Sequence, residues 1–156
     1  MVQVITPNQK AFLDAIAWSE IGPELLAVSD NGYNVIVGST AAHPILFDSY
    51  EDHPHQYVAR CNSTAAGRYQ LLAKYFDAYK VVLHLPDFSP ASQDAIALQQ
   101  IKECLALDAI EAGDFAEAVA RCNHIWASLP GSPYGQHTND LADLQTVYQD
   151  AGGTLA

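Results

Sequence analysis

One glutamate stands where a general acid is needed. Glu20 lies two residues after Trp18, at the end of an apolar helical pattern formed by Phe12, Leu13, Ile16 and Ala17 and stopped by Gly22-Pro23. A carboxyl there faces the negative end of the helix dipole, and the apolar face withdraws it from water. Both effects favour the protonated form, and a glutamic acid still protonated near neutral pH can give its proton to a leaving oxygen. The competing reading of the same position is an exposed surface glutamate. A second cluster, Ser63-Thr64-Ala65-Ala66-Gly67-Arg68-Tyr69-Gln70, is rich in small residues that let a ligand approach the backbone. Gln70 brings both a donor and an acceptor, as sugar hydroxyls require. Other combinations are poorer. His53-Pro54-His55 beside Asp48 and Asp52 has no rigid metal-ligand spacing, so no metal and no cofactor is expected. Ser19 lacks the elbow of a nucleophilic serine. Cys61, Cys104 and Cys122 form no CxxC pair and read as free thiols.

The elements that must position these groups follow from the pattern. Thr6, Pro7 and Gln9 form a helix start with a capping box, and the first helix runs to Gly22-Pro23. Asn31-Gly32 is a turn, and Tyr33, Val35 and Val37 alternate with polar or small neighbours, which predicts a strand over 33–38. Residues 45–50 pair with it, 56–60 form a third short strand, and Glu51 to His55 is an exposed loop. From about Arg68 the chain reads as helical, with breaks at Pro86, Ser89-Pro90, Gly113 and the Pro- and Gly-rich loop 129–137. Asp114 to Glu117 is a second capping box, and a last helix runs from about Asn139 to Ala151. The expected fold class is α+β: mostly helical, with a small antiparallel sheet after the first helix, in one domain spanning 1–156.

Composition narrows the function. The chain has 156 residues, 49% hydrophobic and 16% charged, which describes a folded domain rather than a disordered one. Its formal net charge of −11 argues against nucleic acid and against anionic membrane surfaces. The opening MVQVITPNQK lacks the charged and apolar regions of a secretory signal, and no apolar run suits a membrane span. A soluble protein held in a reducing cytoplasm is expected.

The blocks gain specificity from their order. Trp18-Ser19-Glu20 is followed by Gly32-Tyr33-Asn34-Val35-Ile36-Val37-Gly38 and Ala66-Gly67-Arg68-Tyr69-Gln70. Asp87-Phe88-Ser89-Pro90, Ala97-Leu98-Gln99-Gln100-Ile101-Lys102-Glu103 and Ile125-Trp126-Ala127-Ser128-Leu129-Pro130-Gly131 come next, continuing to Tyr134-Gly135-Gln136. Over nearly its whole length the chain resembles the lambda-type endolysins of phages, lytic transglycosylases with a lysozyme-like fold. The resemblance implies cleavage of the β-1,4 bond between N-acetylmuramic acid and N-acetylglucosamine in peptidoglycan, with a 1,6-anhydromuramic product. It matches the family's catalytic acid to Glu20. The Gly-Arg-Tyr-Gln block looks like the Gly-x-x-Gln motif of other lytic transglycosylases and makes Gln70 the first binding candidate. The resemblance also implies accumulation in the host cytoplasm and release to the periplasmic wall by a holin.

The residues fit that chemistry. Glycosidases ordinarily flank the bond with two carboxylates. The strand predicted at 33–38 has none, Asn34 standing where an acid is expected, and Asp48 and Asp52 are the nearest by chain order. A transglycosylase needs a single acid/base, because the sugar's own 6-hydroxyl attacks. Arg68, Tyr69, Tyr33, Trp126 and Tyr134, with Ser128 and Gln136 as polar contacts, complete the candidate glycan-binding set. Trp126 also fits a core helix pattern, and Tyr134 sits in a loop that could close over a ligand. A hydrolytic muramidase using Asp48 or Asp52, and a glycan-binding protein without activity, are the alternatives. Peptidoglycan is itself anionic, so attraction over long range is weak and strong salt dependence is expected. The basic residues Arg60, Arg68, Lys74 and Lys80 offset this locally.

Overall fold

The computed structural model describes residues 4–156; residues 1–3 of the opening stretch lie outside the described residues. The chain divides into two compact units, residues 4–20 with Ala97–Ala156, and Ile21–Ile96. Among the described residues no helix is long and apolar enough to cross a membrane.

In the first unit, α1 (Pro7–Ile21) starts where its cap predicts. Thr6 Oγ1 accepts from the Gln9 amide at 3.1 Å, and Gln9 Oε1 accepts from the Thr6 amide at 3.3 Å. Two of the amides left unpaired at a helix start are thereby satisfied. Thr6 Oγ1 also donates to Glu111. α1 buries Ala11, Phe12, Leu13, Ala15, Ile16 and Ala17, a wider face than the four-residue stripe expected. Phe12 meets Phe115 edge-on at 5.7 Å, and Phe115 packs on Tyr148 at 4.7 Å. These rings join α1 to α6 (Phe115–Cys122) and α7 (Leu141–Asp150). The buried Asn8 side chain donates to the Ile110 carbonyl at 3.0 Å and accepts from the Thr154 amide at 3.0 Å. It ties the chain end to α5 (Leu107–Glu111). α6 is capped as read, with Asp114 accepting from the Glu117 amide at 3.2 Å.

In the second unit, Pro23 does more than stop a helix. Gly22, at φ 87°, turns the chain, and Pro23 opens a short helix, α2 (Pro23–Ala27). The three strands expected at 33–38, 45–50 and 56–60 are reduced to isolated antiparallel bridges: Val35 with Leu46, Ile36 with Ala66, Val58 with Ser63, and Ala66 with Leu71. The positive φ of Gly38 and a tight turn at Thr40–His43 end the first pairing early. A 3-10 turn at Ala59–Cys61 replaces the third strand. The helix read from Arg68 begins later, as α3 (Ala73–Val82), because residues 67–70 form the turn of the Ala66–Leu71 bridge. Phe76 and Phe88, with Ala66, Leu71 and Ile96, make the core of this unit. α4 (Pro90–Glu103) gives residues 90–96 to this unit and 97–103 to the other.

The loop read at Glu51 to His55 is not wholly exposed. His53 is 2% exposed and stacks on Phe76, with ring centroids 5.8 Å apart. Its Nε2 meets the Leu71 carbonyl at 2.8 Å, and its Nδ1 accepts from the His55 amide at 2.9 Å. Both ring nitrogens are thus satisfied in the neutral form, and burial lowers its pKa.

The first cap gives a direct test. Thr6→Ala removes the hydroxyl that accepts from Gln9 and is expected to cost about 1 kcal/mol. Differential scanning calorimetry should show the melting temperature fall by about 2–4 °C.

Candidate active site

α1 ends at its functional group. Its last turn carries Trp18, Ser19 and Glu20. An α-helix leaves its final carbonyls without i+4 amides. Here the i+4 partner of the Ser19 carbonyl is Pro23, which has no N–H. The Asn139 side chain takes that place: its Nδ2 donates to Ser19 O at 3.3 Å and to Ser19 Oγ at 2.9 Å. Ser19 Oγ lies 2.7 Å from Ser128 Oγ. The Asn139 amide donates to the Ser128 carbonyl at 2.9 Å, which fixes both ends of the 129–138 loop.

The carboxyl of Glu20 sits against this polar seam. Burial raises its pKa from 4.5 to about 7, and a hydrogen bond from the Ser128 side chain opposes the shift. Of the two effects expected from the sequence, the helix dipole and the apolar environment, withdrawal from water is the one that raises the pKa. Near neutral pH, protonated and ionised forms are both present, the condition for a group that gives a proton and then takes one.

The second unit holds a different cluster. Tyr69, 5% exposed, and the half-buried Tyr33 converge on Asp94 of α4, and Arg68, also 5% exposed, packs beside them. Tyr69 donates to Asp94 Oδ1 at 2.6 Å, and Tyr33 donates to the same oxygen at 3.0 Å. Arg68 Nη1 donates to the Tyr69 hydroxyl at 3.0 Å, and the guanidinium lies 5.3 Å from the Tyr33 ring centre. Burial and the Asp94 charge raise the Tyr33 phenol to about 12. Arg68, a buried cation, is matched by the Tyr69 hydroxyl, by the Asn31 carbonyl at 3.1 Å and by the faces of Tyr33 and Tyr69. The three residues read as glycan contacts are therefore packed with one another.

Gln70 follows at φ 51°, a left-handed conformation. Its Nε2 donates to the Gly67 carbonyl at 2.9 Å and to the Val35 carbonyl at 3.4 Å. Among the described residues its Oε1 has no partner. The turn that presents it depends on Gln93, which is 3% exposed. Gln93 accepts from the Arg68 amide at 2.9 Å and donates to the Tyr33 and Phe88 carbonyls at 3.0 and 2.9 Å. Gly67, at φ 86°, leaves room for it: a Cβ there would lie 2.4 Å from Gln93 Oε1.

The remaining candidates belong to the first unit. Trp126 is 3% exposed and part of the core. Tyr134 is 56% exposed, and its hydroxyl donates to the His124 carbonyl at 2.7 Å. Gln136 is exposed. Sequence reasoning does not find Asn139, Ser19, Asp94 or Gln93. Asn139 has one usable signal, an amide just before a helix start; Asp94 and Gln93 look like ordinary helix polar residues until the turn closes on them.

The buried carboxyl couples stability to pH. The folded state holds the Glu20 proton more tightly than the unfolded chain, so this group's contribution to stability is lost as pH rises from 4.5 to about 7. Glu20→Gln should therefore leave the melting temperature unchanged at pH 4 and raise it at pH 8, by at most about 3 kcal/mol of stability. In the second unit, Gly67→Ala should cost about 2–3 kcal/mol in urea unfolding, from the left-handed backbone together with the displaced Gln93.

Comparison with known proteins agrees with these features. The sequence profile of the Endolysin family matches residues 10–155. The endolysin of Escherichia phage lambda is 49% identical over 156 residues, covering 97% of this chain and 95% of its own. The endolysin of Escherichia phage P2 is 45% identical, covering 96% and 95%. The structure of bacteriophage lambda lysozyme complexed with a chitohexasaccharide matches with a TM-score of 0.88 at 47% identity, over 100% of both chains. A second structure of the lysozyme from bacteriophage lambda matches with a TM-score of 0.87 at 46% identity. The fold is lysozyme-like and mostly helical, and the chain belongs to the Endolysin family.

Proposed function

We propose that this chain cleaves the β-1,4 bond between N-acetylmuramic acid and N-acetylglucosamine of peptidoglycan by lytic transglycosylation, with Glu20 as the single acid/base. The observation that carries the reading is the half-buried Glu20 at the end of α1, whose carboxyl is withdrawn from water enough to raise its pKa to about 7. The chitohexasaccharide held by the related lysozyme supports a glycan as the ligand class.

The steps balance on one side chain. Protonated Glu20 gives its proton to the glycosidic oxygen as the bond to C1 breaks. Positive charge develops at C1 and is closed by the 6-hydroxyl of the same muramic residue. That hydroxyl's proton returns to the Glu20 carboxylate, which ends protonated as it began. No water is consumed, and an attacking group already attached to the sugar gains from orientation what an ordinary glycosidase gets from a second carboxylate. Asp52 is poorly suited to activate water, since its Oδ1 accepts from the His53 amide at 2.9 Å and its Oδ2 lies 3.7 Å from His55 Nδ1.

The whole chain acts as one catalytic domain in this reading. Gln70, through its unpaired Oε1, and the exposed Tyr134 and Gln136 contact the glycan. Tyr33, Arg68 and Tyr69 hold the turn that carries Gln70, and Trp126 supports the segment that carries Ser128. Release from the host cytoplasm to the periplasmic wall by a holin completes the reading.

Mass spectrometry of muropeptides from digested sacculi tests the reaction. The expected product carries a 1,6-anhydromuramic end; a product heavier by one water identifies a hydrolytic muramidase on the same fold. Glu20→Gln should lower the rate of turbidity loss by about 10²- to 10⁴-fold. Lysis by this variant at the rate of the parent chain excludes Glu20 as the acid. Binding of sacculi without cleavage by the parent chain leaves only a glycan-binding role.

A further inference from the structure

We propose that His53 and His55 form a two-sided pH latch that clasps the segment 51–57 onto α3, His53 holding it as a neutral ring and His55 as a cation. The inference lies within the second unit and does not depend on the reading of Glu20.

The charge of each ring follows from its partners. A backbone carbonyl and a carboxylate can only accept hydrogen bonds, and a backbone amide can only donate one. His55 Nδ1 lies 2.7 Å from the His53 carbonyl, and His55 Nε2 lies 2.7 Å from Asp77 Oδ1 on α3. Both ring nitrogens of His55 therefore carry protons, and the ring is an imidazolium. Asp52 Oδ2, 3.7 Å from Nδ1, adds a second carboxylate. His53 is the reverse case. Its Nε2 donates to the Leu71 carbonyl at 2.8 Å, while its Nδ1 accepts from the His55 amide at 2.9 Å. Only the neutral ring with its proton on Nε2 makes both bonds. A neutral and a charged imidazole thus stand two residues apart, with ring centres separated by 5.2 Å.

The fold gives the pair its leverage. His53 packs on Phe76 at 5.8 Å and on Phe88 at 4.8 Å, so the segment it carries closes over the core of this unit. A proton added to Nδ1 would break the bond from the His55 amide and leave a cation among these rings. His55 fastens the outer side of the segment, with 38% of its side chain exposed against 60% for Asp77. It stands at φ 49°, a left-handed backbone that a residue with a Cβ keeps only under restraint, and its three hydrogen bonds supply the restraint. The charged groups of the packed elements are Glu51 and Asp52 on the segment, Lys74, Asp77 and Lys80 on α3, and Asp87 before Phe88. Asp52 and Asp77 act on both rings. Lys74 and Lys80 lie over the Tyr75 and Phe76 rings, at 5.1 and 5.7 Å.

The two rings work in opposite directions. The folded chain holds the His55 proton more tightly than the unfolded chain, chiefly through Asp77. Its contribution is complete below the ordinary 6.5 and is lost as pH rises through the raised value. The folded chain holds a proton on His53 more weakly, chiefly through burial. That contribution is complete above 6.5 and is lost as pH falls through the lowered value. The clasp is tightest about pH 6.5 and loosens on either side.

Two measurements on the full chain test the latch. Proton–nitrogen correlation NMR of the imidazole rings at pH 6.5 reads the two states directly. The His55 signals are assigned by their loss in His55→Gln, and those of His53 by nuclear Overhauser contact with the Phe76 ring. His55 should show two protonated nitrogens and titrate above 6.5; His53 should carry its proton on Nε2 alone and titrate below 6.5. A His55 that titrates below 6.5, or a His53 that titrates above it, overturns the latch. The second measurement compares the melting temperatures of the parent chain and Asp77→Asn, which keeps an acceptor for Nε2 without the charge. The parent should melt about 1–3 °C higher at pH 6, and the difference should vanish at pH 9. In the His55→Gln background the effect of Asp77→Asn should be the same at both pH values. An equal difference at pH 6 and pH 9 in the parent background makes the contact an ordinary hydrogen bond and overturns the latch.

Discussion

The structure turns on one unfavourable act, the withdrawal of the Glu20 carboxyl from water at the end of an apolar helix. A carboxylate in such a place is expensive, and the molecule meets the cost by keeping the proton available near neutral pH rather than by adding a cation. The choice of balance matters. An Arg or Lys beside Glu20 would fix it as a carboxylate and end its use as an acid. A hydroxyl donor moderates the effect of burial without cancelling it. α1 serves this end by burying six apolar residues before its last turn, so that Glu20 emerges from a rigid element.

The second unit solves a different problem, how to hold a tight turn with little sheet to support it. Isolated bridges supply few backbone hydrogen bonds, and buried polar side chains take over the task. Gln93 satisfies three backbone groups from three segments, and Asp94, its neighbour on α4, gathers Tyr33 and Tyr69, to whose hydroxyl Arg68 in turn donates. One helix face thus fixes the segment from 67 to 70 from both sides. Among the described residues no buried side-chain polar atom lacks a partner, as such networks require.

Much of this is legible in the residues. The caps at Thr6 and Asp114, the end of α1 and the start of α4 follow from local chemistry that tertiary context does not override. Glu20 is legible because its position in the helix and its apolar neighbours both lie within one turn of sequence. The sheet is smaller than its pattern suggests: β-branched alternation at Val35 and Val37 marks burial, but strand length depends on where partners turn away, which Gly38 and the loop at Thr40 decide. His53 reads as loop because its segment is polar, whereas its imidazole is satisfied on both sides and packs as an aromatic ring. Arg68 and Tyr69 carry the right motif with a different placement, since the half-buried Asp94 that holds the Tyr69 hydroxyl lies 25 residues onward. Asn139 is the hardest to see, because its partner is a backbone carbonyl left open by a proline more than a hundred residues away.

The central claim is that the Glu20 side chain still holds its proton close to neutral pH in the free protein. A carbon-13 NMR titration of the side-chain carboxyls, with the Glu20 resonance assigned by its disappearance in Glu20→Gln, measures this directly. The account predicts a midpoint near 7, well above the ordinary 4.5 of a glutamate. A Glu20 resonance that titrates with an ordinary midpoint contradicts it, and with it the assignment of this residue as the acid.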